Sequence, residues 1–299
     1  MESQKPKLPN EAIELYNSYI HGEVSRRDFL EGAKRFAVGG LAVTAVIEAL
    51  LPNYALAQQV SKTDARLKTE YATVPSPQGN GSIKGYFARP VSAGAAGKLP
   101  GILVVHENRG LNPHIEDVTR RLALANFMAF APDGLTSVGG YPGDDDKGGA
   151  LFGKVDRTKM TEDFVAAANW LKARADCTGK IGVTGFCFGG GIANTLAVRM
   201  GADLAAAAPF YGAAPATADV PKIKAAILVL HGELDTRTAG AWPAYEAALK
   251  AANVPNEGHI YPGAVHGFNC DATPERFNKA AADQAWGRTI EWFNKYVRV

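Results

Sequence analysis

The most reactive feature of the sequence is a cysteine set among glycines. Gly185-Phe186-Cys187-Phe188-Gly189-Gly190 follows the apolar run Lys180–Thr184 and precedes a stretch with helical spacing. A strand that turns sharply into a helix needs glycines there, because β-carbons do not fit beside so tight a turn. Such a turn also sets its central residue at a helix N-terminus, where free amides and the helix dipole favour a thiolate. Burial as an inert side chain is the ordinary fate of a free cysteine. The strand–turn–helix setting argues instead for a nucleophile.

A thiolate nucleophile works best beside a base that a third group orients. The apolar run Ala226–Leu230 ends in His231-Gly232-Glu233-Leu234-Asp235, which puts an acid at a second strand end. Asp235 either orients a histidine or caps a turn, and Glu233 is a weaker competitor for the first role. The run Glu257–Tyr261 leads into Gly263-Ala264-Val265-His266-Gly267-Phe268, a glycine-bearing loop from which His266 can act as general base. The sequence holds six histidines, so one well-placed histidine alone means little. The chain order Cys187, Asp235, His266, each at a strand end, is the order that a nucleophile-elbow fold requires. A fourth strand end carries His106-Glu107-Asn108-Arg109-Gly110. Its Asn108 amide is positioned to pair with that of Phe188 as an oxyanion hole. Glu107 is a candidate for holding or releasing the thiol proton, and Arg109 for meeting an anionic substrate.

The elements that must position these residues alternate from about Lys62 onward. Expected strands are Ile83–Ala88, Gly101–His106, Met128–Ala131, Lys180–Thr184, Ala206–Phe210, Ala226–Leu230 and Glu257–Tyr261; expected helices are Ile115–Ala125, Lys159–Ala175, Phe188–Met200, Ala241–Ala252 and Arg276–Val297. Continuous apolar runs such as Ile102-Leu103-Val104-Val105 suit strands buried on both faces. This reads as an α/β protein, a mostly parallel sheet with helices on both faces, in one domain over residues 61–299. Ser137–Gly149 is rich in Gly and Asp and reads as a surface loop, a candidate lid.

Composition sets the outer limits. With 46% apolar and 21% charged residues the chain can bury a sizeable core, and a net charge of +2 gives no basic face for nucleic acid. Three scattered cysteines suggest neither a disulfide framework nor a metal cluster, so no metal or cofactor is expected. Residues 1 to about 60 differ from the rest. Ser25-Arg26-Arg27-Asp28-Phe29-Leu30 precedes an apolar stretch from Phe36 to Leu51 and then Ala55-Leu56-Ala57. This resembles a twin-arginine export signal and implies a periplasmic or exported protein. Glu48 makes the stretch a poor membrane span. The competing reading, favoured by the helix-like run Glu11–Tyr19, is an N-terminal helical segment that stays packed on a cytoplasmic protein.

At these residues the chain resembles the dienelactone hydrolase (carboxymethylenebutenolidase-like) family, from roughly Tyr71 to the C-terminus. The cysteine-bearing elbow is the most specific shared motif. The resemblance implies an α/β-hydrolase fold, a Cys187–Asp235–His266 triad acting on small esters or lactones, and a glutamate at Glu107 that interacts with the resting thiol until substrate arrives. It also implies an arginine shortly after His266 that grips a substrate carboxylate. Here none occurs before Arg276, and Arg109 is the candidate substitute. The leader is a further departure. A non-catalytic binding scaffold, and acyl transfer or thioester cleavage by the same cysteine, remain alternatives; substrate identity and oligomeric state are left open.

Overall fold

The structure, a computed structural model, describes residues 8–38, 42–55, 57–93 and 97–298. Three short helices open the chain: α1 (Asn10–Ile20), α2 (Arg26–Ala33) and α3 (Val43–Leu50). The strands β1 (Leu67–Ser76), β2 (Gly81–Pro90), β3 (Leu99–Val105), β4 (Met128–Pro132), β5 (Cys177–Phe186), β6 (Ala206–Phe210), β7 (Ala226–Gly232) and β8 (Asn256–Tyr261) form one sheet. Its order is β1-β2-β4-β3-β5-β6-β7-β8. The pairs β1–β2 and β2–β4 are antiparallel, and from β4 to β8 every pairing is parallel. The remaining helices are α4 (Pro113–Leu124), α5 (Asp145–Phe152), α6 (Arg157–Ala173), α7 (Phe188–Met200), α8 (Thr236–Ala239), α9 (Trp242–Ala251) and α10 (Lys279–Tyr296).

Successive strand residues point to opposite faces, and both faces are apolar. Leu103, Val105, Ile227 and Val229 pack with Phe164 and Leu171 of α6, Leu196 of α7 and Leu249 of α9. Their neighbours Ile102, Val104, Leu228 and Leu230 pack on the other face with Val118 and Leu122 of α4 and Phe293 of α10. Each such side chain fully removed from water contributes roughly 1.5–3 kcal/mol, so the layers are held by the same residues that define the strands. Side-chain caps fix helix starts: Asn112 accepts from the amide of Ile115 before α4, and Asn278 accepts from that of Ala281 before α10.

Several elements differ from the sequence reading, among them the one-turn helix α8, which was not expected. β1 is an extra edge strand whose residues are mostly half-buried or exposed, so it has no apolar run to announce it. α5 lies within and beyond the expected loop Ser137–Gly149, capped by Asp144, whose side chain accepts from the amide of Lys147 at 2.8 Å. The last helix begins at Lys279, not Arg276, because the Asn278 cap sets its start. The N-terminal helices form a third apolar cluster of their own, with Ala12, Tyr16, Phe29, Ala33, Val46 and Leu50 at its centre. Of the export-like features, Leu56 and residues 39–41 lie outside the described residues. No described helix is long and apolar enough to cross a membrane.

Candidate active site

β5 delivers the chain to Cys187, which adopts φ 55° and ψ −113° before α7 begins at Phe188. A non-glycine residue in that region costs about 1–3 kcal/mol unless its surroundings enforce it. They do so here. The Cys187 amide donates to the Phe210 carbonyl at 3.1 Å, and the Cys187 carbonyl accepts from Gly191 at 3.1 Å. A β-carbon on Gly185 would lie 2.1 Å from the Gly189 carbonyl oxygen, and one on Gly189 would lie 2.2 Å from that of Val105. The two glycines are therefore demanded by close backbone approach. Cys187 is 8% exposed, and Phe188 places its amide in the unpaired first turn of α7.

β7 ends at Gly232, and Asp235 opens α8 three residues later. Its Oδ2 accepts from Thr238 Oγ1 at 2.5 Å and from His266 Nδ1 at 2.6 Å. With Nδ1 committed to the carboxylate, Nε2 of His266 is the free ring atom, and it is buried without a hydrogen-bond partner. Burial alone would raise the Asp235 carboxyl, but the hydrogen bond and charge of His266 outweigh it and hold the group at about 2. Burial likewise opposes charge on His266, yet the negative sulfur of Cys187 and the bond to Asp235 lift the imidazole to about 9. For Cys187, burial pushes the thiol up; the charge of His266 and a hydrogen bond with His21 pull it down to about 6. Around neutral pH the pair is thus a thiolate and an imidazolium, the state competent for attack on an electrophile.

The loop after β3 lies beside this pair. Asn108 lines the cavity that holds Cys187 and Phe188. Glu107 and Arg109, the other two candidates of this loop, do not line that cavity. Glu107 sits in a small space shared with Tyr16, Asp145, Cys270 and Arg276, and no hydrogen bond joins it to Cys187 among the described residues. Its charge still reaches Cys187 and opposes thiolate formation. Arg109 points toward the N-terminal segment, donating to the Ile20 carbonyl at 3.3 Å and lying 6.0 Å over the Tyr19 ring.

Four residues that the sequence reading did not place here belong to the site. His21, just past α1, brings Nε2 to 3.5 Å from Cys187 Sγ while its Nδ1 lies 2.7 Å from the Asn17 carbonyl. The same Nε2 is 3.0 Å from Arg237 Nη2. Tyr211 stands edge-on to His266 at 4.9 Å between ring centroids. Arg276 folds back over Gly267, with its guanidinium 4.9 Å from the Tyr16 ring centroid and only 4% of its surface exposed. The segment before residue 60 therefore touches the site directly. Asn108 Nδ2 donates to the Ile20 carbonyl at 2.5 Å, and Leu8 donates to Glu275 at 3.0 Å. His21, Cys187 and His266 each offer one ligand atom, all within 4.8 Å of one another.

An open cavity of about 760 Å³ leads to the sulfur, a size suited to a small organic molecule. Its wall is mostly apolar, from Phe152, Phe188, Ile192, Tyr211 and Tyr245, with Arg237 contributing a positive charge.

Comparison with known proteins bears on this arrangement. Residues 83–297 match the family described as "Dienelactone hydrolase family", and residues 2–39 match a separate one, "YqhI-like". The chain is 32% identical over 252 residues to a "Putative carboxymethylenebutenolidase" of Escherichia coli K12, covering 79% of this chain and 90% of the relative. It is 56% identical over 118 residues to the "Putative hydrolase fragment YghX" of the same organism, covering 40% of this chain and 99% of that fragment. Among solved structures, a "Putative Dienelactone Hydrolase" from Klebsiella pneumoniae superposes with TM-score 0.66 at 29% identity, covering 77% of this chain and 99% of the other.

Proposed function

The chain belongs to the dienelactone hydrolase family, and from that premise we propose that it hydrolyses ester or lactone bonds of small molecules with Cys187 as nucleophile. The observation that carries this reading is the 2.6 Å bond from His266 to Asp235, which leaves Nε2 of His266 free beside a cysteine at the tip of an enforced turn. The Cys187 thiolate attacks the carbonyl carbon, and the oxygen that becomes negative is received by the backbone amides of Phe188 and Asn108. His266 passes its Nε2 proton to the departing alkoxide, leaving a thioacyl enzyme and a neutral imidazole. That imidazole then takes a proton from water as the water attacks the thioester. Collapse restores the thiolate and the imidazolium and releases the acid. Asp235 keeps the ring in the required tautomer throughout.

Arg237, on the cavity wall, takes the part in meeting an anionic substituent that the sequence assigned to Arg109. Glu107, which lines a small space with Arg276 and Tyr16, acts on the sulfur through its charge and not through a hydrogen bond. The N-terminal segment belongs to this reading as a retained part of a cytoplasmic enzyme, since Ile20 and His21 touch the machinery. Cys187→Ala is the direct test. Turnover of activated aryl esters and small lactones should fall by at least about a thousandfold. Activity within a few-fold of the unaltered protein would remove Cys187 from the mechanism.

A further inference from the structure

We propose that His21, Cys187 and His266 form a binding site for a borderline transition-metal ion of the zinc class, and that such an ion holds the nucleophile out of action. Two imidazoles and a thiolate are the donor types that zinc prefers. Their spacing is close to what the ion requires. Bond lengths of about 2.3 Å to sulfur and about 2.0 Å to nitrogen give a tetrahedral sulfur–nitrogen edge of about 3.5 Å. The Cys187 Sγ to His21 Nε2 separation is 3.5 Å. The widest separation in the set is no more than 4.8 Å, so closure needs a movement of about 1 Å, within reach of small side-chain rotations.

The hydrogen bonds behind the ligands are the stronger argument. A metal-bound histidine almost always commits its other ring N–H to a carboxylate or a backbone carbonyl, which turns the remaining lone pair toward the ion. Both histidines are held that way. His266 Nδ1 lies 2.6 Å from the Asp235 carboxylate, and His21 Nδ1 lies 2.7 Å from the Asn17 carbonyl oxygen. His266 Nε2, in a residue only 4% exposed, has no hydrogen-bond partner of its own. Three protein ligands leave a fourth position for water on the side of the open cavity. One group opposes the ion: Arg237 Nη2 stands 3.0 Å from His21 Nε2 and must swing away. Its side chain is exposed, so it is free to do so.

Binding involves no redox change. The hydrated ion gives up water, sulfur and the two Nε2 atoms donate to it, and the proton carried by His266 leaves to solvent. The sulfur lone pair, now bonded to metal, cannot attack a carbonyl. The inference shares its residues with the proposed hydrolysis and rests on that reading for its consequence, but the site itself is read without substrate. The experiment uses the full metal-free chain titrated with Zn²⁺ by calorimetry and with Co²⁺ by absorption spectroscopy. One ion per chain is expected, with a thiolate-to-cobalt charge-transfer band that is absent in Cys187→Ser. His21→Ala should weaken Zn²⁺ binding at least about tenfold, while Arg237→Ala should tighten it by removing the competing cation. Absence of stoichiometric binding would overturn the proposal, as would a His21→Ala protein that binds like the unaltered one. Should His21→Ala fail to fold, Arg237→Ala decides: tighter binding supports the site, unchanged affinity refutes it. Metal binding without esterase activity would sink the hydrolase reading and the inhibitory consequence while leaving the site. Esterase activity undiminished by saturating Zn²⁺ would overturn the inhibitory claim, and esterase activity without metal binding would sink only this inference.

Discussion

Replacing Asp235 by asparagine keeps the shape of the side chain and removes its charge. In the native site the Asp235 carboxyl is held at about 2 against an ordinary 3.8, because the hydrogen bond and charge of His266 outweigh the opposing effect of burial. That difference corresponds to about 2.4 kcal/mol in favour of the charged carboxylate. Losing a partner of that strength lowers the ratio of imidazolium to neutral imidazole by a factor of about 60 at any given pH. An amide also lets the ring adopt the wrong tautomer, an effect that costs a serine triad about 10⁴-fold. Asp235→Asn should therefore lower kcat/KM by between ~10² and ~10⁴. His266 should fall from about 9 toward its ordinary 6.5, and Cys187 should rise from about 6 toward 9. The assay is kcat/KM on an activated aryl ester, together with the rate of iodoacetamide alkylation of Cys187 across pH. The alkylation midpoint should move upward. Stability gives a second check with a definite sign. A carboxyl depressed in the fold contributes stability that is present above 3.8 and is lost as pH falls toward 2. The variant should thus be less stable than the native protein at neutral pH, and the gap should close in acid. A variant with turnover within threefold of native and an unmoved alkylation midpoint would refute the reasoning.

Under the proposed mechanism the same pair sets the pH dependence of turnover. Thiolate forms above about 6 and imidazolium is lost above about 9, so kcat/KM should rise through the first value and decline through the second. A profile flat from pH 5 to 10 would contradict the ion pair. The N-terminal segment offers a further prediction. N-terminal sequencing of protein isolated from its native host should yield a chain that still contains Tyr16 and His21. A start near Gln58 would show that the segment is removed and that Cys187 works without its second imidazole neighbour.

The buried strands and their mostly parallel arrangement were legible because parallel strands covered on both faces must be apolar throughout. The runs of β3 and β7 say so without help from the rest of the chain. The tight turn at Cys187 was legible because close backbone approach leaves no room for β-carbons at Gly185 and Gly189, a constraint visible as a motif. β1 was not, since an edge strand with half its residues toward solvent carries no run. Gly148 and Gly149 hid α5 by diluting its helical pattern. The contact between His21 and Cys187 spans 166 residues, and no local periodicity encodes a meeting at that distance. The same holds for Arg276. In sequence it stands well beyond His266, but in space the turn from Thr273 folds its guanidinium onto Gly267. The apolar residues of the N-terminal helices read equally well as an export stretch or as a small core, because composition does not say what they pack against.

The most direct test of the central claim is intact-protein mass spectrometry after brief incubation with an activated aryl ester, with peptide mapping and a parallel sample blocked by iodoacetamide. One acyl group mapping to Cys187, blocked by prior alkylation and lost on the timescale of turnover, is the expected result. Ester turnover that survives complete alkylation of Cys187, or an acyl group that maps elsewhere, would contradict a thioacyl enzyme and the mechanism built on it.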